Sequence, residues 1–61
     1  METTTALTGT YSIYRFISRN LETGTESTHT VTGANFAEVV RRYYAYNLPP
    51  KGETLILWYE V

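Results

Sequence analysis

Three stretches of the chain carry the residue types that favour β-strands, and one stretch between them repeats its hydrophobic residues with a helical period. Residues 10–19 are β-branched and aromatic without Gly or Pro. Residues 25–32 are rich in Thr and polar, which is typical of an edge strand. Residues 54–61 are the most apolar of the three stretches. The pattern therefore predicts three strands.

The helical stretch begins at Asn35, a good N-cap residue, and Glu38 follows three residues later as in a capping box. Pro49 and Pro50 predict its end, because Pro disfavours the helical conformation of the residue before it. At about 100° per residue, one face of this helix is apolar. That face consists of Phe36, Val39, Val40 and Tyr43.

The predicted element order is strand, strand, helix, strand. Gly24 supplies the positive φ that a tight hairpin between the first two strands needs. The simplest arrangement is an α+β fold: a three-stranded antiparallel sheet in the order 2-1-3, with the helix packed on one face. We expect residues 1–9 to form a flexible tail and residues 10–61 to form a single domain.

The first and third strands are apolar on both faces, yet a helix about 16 Å long covers only one face of a sheet. We assign the mainly aliphatic set to the helix side: Tyr11, Ile13, Ile17, Leu55, Leu57, Tyr59 and Val61. This leaves four side chains on the open face, where contiguous aromatics are typical of a partner surface. They are Tyr14, Phe16, Ile56 and Trp58. The alternatives are that residues 1–9 fold over them, or that the faces are reversed.

The outer face of the helix is a second candidate surface. Arg41 and Arg42 lie there with Tyr44 at its border, and Arg beside exposed Tyr is a common composition at protein interfaces. These three residues complete the predicted partner-binding set.

Composition narrows the function classes. The net charge is −1 and charged residues make up 18% of the 61 residues. A general nucleic-acid binder would be basic, and a mimic of duplex DNA would be strongly acidic. This chain is neither.

The chain begins without a signal-peptide pattern and has no apolar run of bilayer length, so we expect a cytoplasmic protein.

Little in the sequence points to catalysis. His29 is the only His, and the chain has neither Cys nor Asp, so we expect no metal site and no cofactor. Glu22 and Glu26 flank the hairpin turn, where carboxylates are mostly solvated. No phosphate-binding loop or nucleophile elbow is present. We therefore expect no enzyme activity.

The layout resembles small phage-encoded proteins that inhibit host machinery. The residues concerned are the helix start at 34–39, then Tyr46 and Pro50 ahead of Thr54. The overall plan is similar to the inhibitors of bacterial RNA polymerase from T-odd phages. It is also similar to the phage inhibitors of uracil-DNA glycosylase, which are dimeric. The glycosylase inhibitors are acidic, whereas this helix carries two Arg.

The resemblance implies a non-catalytic protein-binding module that occludes a host nucleic-acid enzyme. Two alternatives stay open. The chain could bind single-stranded nucleic acid, with Tyr14, Phe16 and Trp58 as a stacking platform. It could also be a structural subunit that forms a homodimer through its last strand, an edge strand with few charges.

Overall fold

The computed structural model describes residues 11–61. Within this range the elements are β1 (Ser12–Asn20), β2 (Glu26–Gly33), α1 (Phe36–Ala45) and β3 (Glu53–Glu60). The sheet order is β2-β1-β3, and both outer strands run antiparallel to β1. The predicted fold class is confirmed. The predicted tail at residues 1–9 lies outside the described residues.

A tight turn joins β1 to β2. The side-chain Oδ1 of Asn20 accepts hydrogen bonds from the backbone N–H groups of Glu22 and Thr23, at 2.8 and 2.9 Å. Gly24 adopts the positive φ of 78° that the hairpin was predicted to need. The backbone N–H of Asn20 then donates to the carbonyl of Thr25 at 2.8 Å, which sets the register of the hairpin.

Two side chains cap the N-terminus of α1. The Oδ1 of Asn35 accepts from the backbone N–H of Glu38 at 2.9 Å, as predicted for the N-cap. The carboxylate of Glu38 reaches one residue further than a standard capping box and accepts from the N–H of Ala34 at 2.6 Å. This hydrogen bond first, and then the charge of Arg42, lowers the pKa of Glu38.

The helix ends at Ala45, earlier than the prolines predicted. Asn47 adopts a left-handed φ of 60°, which Asn tolerates better than most residues and which cannot continue a helix. The N–H of Leu48 then turns back to the carbonyl of Tyr43 at 3.2 Å. A left-handed Asn, rather than Pro49, therefore terminates α1.

The core lies between α1 and the strands β1 and β2, and its buried apolar residues are Phe16, Val31, Val39 and Tyr43. The rings of Phe16 and Tyr43 pack with centroids 4.2 Å apart. Gly33 lets the helix approach closely, because a Cβ there would lie 3.0 Å from the backbone nitrogen of Val39. The helix is therefore seated on β2 with almost no gap.

Three further rings extend this core towards β3. Phe36 packs against Trp58 with ring centroids 5.3 Å apart and against Tyr14 at 5.0 Å. Leu55 is partly buried against the same core. These aromatic contacts, rather than the backbone of α1, cover the helix side of β3.

Candidate binding surface

The face of the sheet opposite α1 is the strongest candidate for a binding surface. Side chains alternate between faces along β1, so Tyr14, Phe16 and Ser18 point to the helix and the intervening residues point away. We call the resulting surface the open face. It comprises Ile13, Arg15, Ile17 and Arg19 of β1, Thr28, Thr30 and Thr32 of β2, Leu57 and Tyr59 of β3, and Val61 just after β3.

A β-bulge in β3 determines which of its side chains lie on the open face. Ile17 pairs with Leu57, whereas the next residue, Ser18, pairs with Leu55, so Ile56 is an extra residue in the ladder. The extra residue shifts the alternation by one position. Leu55 and Trp58, three residues apart, consequently both pack on the helix side. Leu57 and Tyr59 are left on the open face.

Along β1 the open face alternates two Ile with two Arg, whereas it is apolar along β3 and polar along β2. Leu57 is 54% exposed and Tyr59 is 41% exposed, and the cross-strand partner of Leu57 is Ile17. Neighbouring side chains of this kind form a continuous apolar surface. The residues from β2 are exposed threonines.

Two arginines lie among these apolar residues. Arg19 forms an ion pair with Glu26 across the hairpin at 2.8 Å. Arg15 pairs with Thr30 on one side and Tyr59 on the other, and it forms no ion pair with any residue between 11 and 61. The guanidinium of Arg15 therefore offers its hydrogen-bond donors at the centre of an apolar surface.

The predicted assignment of faces is wrong for β1 and for most of β3. Phe16 is 4% exposed, beneath Tyr43, and Tyr14 and Trp58 pack around Phe36. These aromatic side chains contact the rings on α1 and lie on the helix side of the sheet rather than on the open face. Leu55 was predicted on the helix side, and it packs there. Of the two alternatives, reversed faces describes the arrangement of β1.

The fourth residue predicted on that face, Ile56, lies at the bulge and is exposed. Tyr14 also contacts the end of β3, where its hydroxyl lies 3.5 Å from the carboxylate of Glu60. Burial first, and then the charge of Glu60, raises the pKa of Tyr14.

The helix residues predicted to bind a partner lie apart from the open face. Arg41 and Tyr44 are exposed, Tyr44 at 68%. Arg42 donates from Nη1 to the backbone carbonyl of Thr32 at 3.0 Å and from Nη2 to Glu38 at 3.3 Å. Arg42 is therefore bound at the outer edge of β2, whereas Arg41 and Tyr44 are exposed to solvent.

The sequence did carry a signal for the open face. Arg15 and Arg19 alternate with Ile13 and Ile17, so two charged residues share that face of the central strand. Charged side chains are almost never fully buried unless they are paired, so their face is the one expected to meet solvent.

Two buried polar atoms in the described part of the chain have no hydrogen-bond partner: the hydroxyl of Tyr43 and Nε2 of His29. Both residues adjoin Phe16, the first through its ring and the second as its cross-strand partner. Burial raises the pKa of Tyr43. These atoms lie beneath the helix and not on the open face.

Between residues 11 and 61, no three metal-ligating side chains come together and no pocket forms. The same part of the chain holds no helix with the length and apolar character needed to cross a membrane. Comparisons with protein-family models, with curated proteins and with solved structures return no match to this chain.

Proposed function

We propose that this chain is a non-catalytic protein-binding module whose open face docks on another protein. The partner surface that fits is apolar and carries a carboxylate opposite Arg15. The observation that carries the proposal is the face that α1 leaves uncovered, where aliphatic residues of β1 and β3 surround the guanidinium of Arg15.

The composition of the open face supports a protein partner. Tyr and Arg are the residues most enriched among those that dominate binding energy, and Tyr59 and Arg15 are cross-strand partners. A paired strand also loses little backbone entropy on binding, because its backbone is already ordered by the sheet. The aliphatic residues around this pair would exclude water from the contact.

A more specific form of the proposal follows from the resemblance in layout to phage inhibitors. The module would then occlude a host nucleic-acid enzyme in the cytoplasm, with no catalytic step of its own. Direct binding of nucleic acid has less support. The net charge is −1, and Phe16 of the expected stacking platform is buried.

Affinity capture with the full chain tests the proposal. Wild type, Tyr59→Ala and Tyr44→Ala are immobilised and exposed to bacterial lysate, with and without nuclease, at low and moderate salt. Tyr44→Ala is the matched control because it removes a Tyr that is more exposed than Tyr59 and lies on α1, away from the open face. We expect wild type and Tyr44→Ala to retain the same protein after nuclease treatment and Tyr59→Ala to lose it.

Two results would contradict this proposal. Recovery that disappears with nuclease, or that falls steeply with salt, would indicate a nucleic-acid ligand, because phosphate contacts are strongly salt-dependent. Recovery that depends on Tyr44 and not on Tyr59 would place the interface on α1.

A further inference from the structure

Within residues 11–61, the outer edge of β3 carries backbone groups that pair with no other strand. The N–H of Val61 donates to the carbonyl of Ile13 at 2.8 Å, so these two residues form a hydrogen-bonded pair. In an antiparallel ladder such pairs alternate with pairs that point their backbone groups away from each other. It follows that Tyr59 bonds to β1, whereas the N–H and C=O groups of Trp58 and Glu60 point outwards. We call this the β3 edge.

The same reasoning applies to the other side of the sheet. Asn20 and Thr25 form a hydrogen-bonded pair, so alternation turns the backbone groups of Thr28, Thr30 and Thr32 outwards along β2. The carbonyl of Thr32, the last of these three along β2, accepts a hydrogen bond from Nη1 of Arg42 at 3.0 Å. A charged side chain placed across an edge is one of the ways in which proteins protect a strand from further pairing.

Among residues 11–61, no side chain protects the middle of β3 in this way. The middle of β2 is equally unprotected, but its outward residues are threonines. Residues 54–59 of β3 carry no charge, and Ile56, Leu57 and Trp58 are exposed. Apolar edge strands without charges readily pair with another strand. The two edges of the sheet therefore differ in their capacity to add a strand.

We propose that two copies of this chain pair through their β3 edges into a closed dimer with one continuous six-stranded sheet, and that Arg42 prevents growth beyond two copies. This proposal does not depend on the proposed function, because it uses the edge of the sheet and not the open face. In the dimer each β3 edge is occupied by the other copy. Further growth would require the β2 edge, where Arg42 is engaged.

A second copy fits the β3 edge because the edge is complementary to itself. When the two-fold axis passes through Tyr59, the outward backbone groups of Glu60 in each copy meet those of Trp58 in the other copy. In this register no carboxylate lies opposite another carboxylate, which would be unfavourable.

The small core also favours a second copy. A chain of this size buries only about 60% of the surface that its unfolded form exposes. Within residues 11–61, only four apolar side chains are buried, whereas Trp58 at the β3 edge is 46% exposed. Pairing would bury more of the apolar surface of β3 in both copies at once.

The first test measures molecular mass by sedimentation equilibrium over a wide concentration series of the full chain. We expect the mass to rise from one chain to two and to stop there.

Amide hydrogen exchange tests the same pairing without any substitution. The amides of Trp58 and Glu60 should become protected as concentration rises, whereas the amide of Tyr59 should be protected throughout. A monomer at every concentration, or no change at Trp58 and Glu60, would overturn the proposal.

A second test compares Glu60→Pro with Glu60→Ala, its control, to measure how much the backbone N–H of residue 60 contributes to dimerisation. Pro removes an N–H that points away from β1, a position where edge strands tolerate it. Because the two-fold axis doubles the loss, we expect Glu60→Pro to weaken dimerisation about tenfold or more, and Glu60→Ala to retain it. Equal dimerisation of the two variants would show that the copies associate elsewhere.

Arg42→Ala with Arg41→Ala as its control tests the protected edge. Both variants remove an exposed Arg from α1, but only Arg42 contacts Thr32. We expect Arg42→Ala to form species larger than a dimer and Arg41→Ala to stop at two copies. If Arg42→Ala also stopped at two copies, the role assigned to Arg42 would be wrong.

Discussion

The two faces of the sheet are built from the same strands but have different surroundings. Phe16 and Ile17 are neighbours in β1, and Phe16 is buried under Tyr43 whereas Ile17 lies on the open face beside Leu57. The covered face pairs aromatic residues of the strands with aromatic residues of α1. The comparison shows that hydrophobicity alone does not decide which face the helix covers. The aromatic residues that contact the rings of α1 form the core, and the aliphatic face that includes Arg15 lies on the other side of the sheet.

The largest effect should come from removing the ring at the centre of the covered face. Phe16→Ala deletes a buried side chain that packs on Tyr43, and we expect a loss of about 3–5 kcal/mol in the free energy of unfolding. That loss is comparable with the whole stability of a domain of this size. Urea denaturation followed by circular dichroism measures it. Leu57→Ala, on the open face, should change stability by less than about 1 kcal/mol, and an equal loss in both variants would refute the distinction between the faces.

A smaller effect should follow from forcing the helix away from the sheet. Gly33→Ala places a Cβ 3.0 Å from the backbone nitrogen of Val39, so α1 must shift outwards. We expect a destabilisation of about 1–3 kcal/mol in thermal or urea denaturation. The adjacent change Thr32→Ala, whose side chain lies on the open face, should cost less than about 1 kcal/mol. Wild-type stability for Gly33→Ala would mean that the helix is not seated on β2 as described.

The smallest effect concerns the start of α1 and depends on pH. The N–H of Ala34 and the charge of Arg42 lower the pKa of Glu38 in the folded state, so the ionised carboxylate stabilises the fold above the unfolded pKa of about 4.3. This stabilisation is lost as the pH falls through the folded pKa. The difference in unfolding midpoint between wild type and Glu38→Gln should therefore be present at neutral pH and disappear in acid.

Glu22→Gln is the control for this measurement, because it removes an exposed carboxylate at the hairpin turn. We expect it to follow the wild type across the pH range. A difference between Glu38→Gln and wild type that did not vary with pH would contradict the role given to the carboxylate of Glu38.

The sequence was sufficient to predict the fold because the local signals agree with one another. The Asn35 cap, the positive φ of Gly24 and the helical spacing of Val39 and Tyr43 all appear in the structure as predicted. The strand order also follows from short connections and a single crossover helix. The cap, the turn and the helical spacing each depend on residues close to one another in the chain, and the connections between elements then limit the possible strand orders.

The faces could not be predicted in the same way, since they depend on contacts between distant elements. The bulge at Ile56 breaks the alternation of β3, so Leu55 joins Trp58 on one face although the two are an odd number of residues apart. The left-handed Asn47 likewise ends α1 before Pro49. Nothing in the spacing of these residues shows either feature. The arginines of β1 were the available signal, and they indicate the solvent side correctly.

The most direct test of the two-face account compares two adjacent aromatic residues of β3. Trp58 lies on the helix side of β3 with its ring against Phe36, and Tyr59 lies on the open face beside Arg15. The unfolding midpoint and the nuclease-resistant recovery of a protein partner are measured for Trp58→Ala and Tyr59→Ala. The account predicts that Trp58→Ala loses stability but retains the partner, and that Tyr59→Ala retains stability but loses the partner. The reverse result, with Trp58→Ala stable and unable to bind, would contradict it.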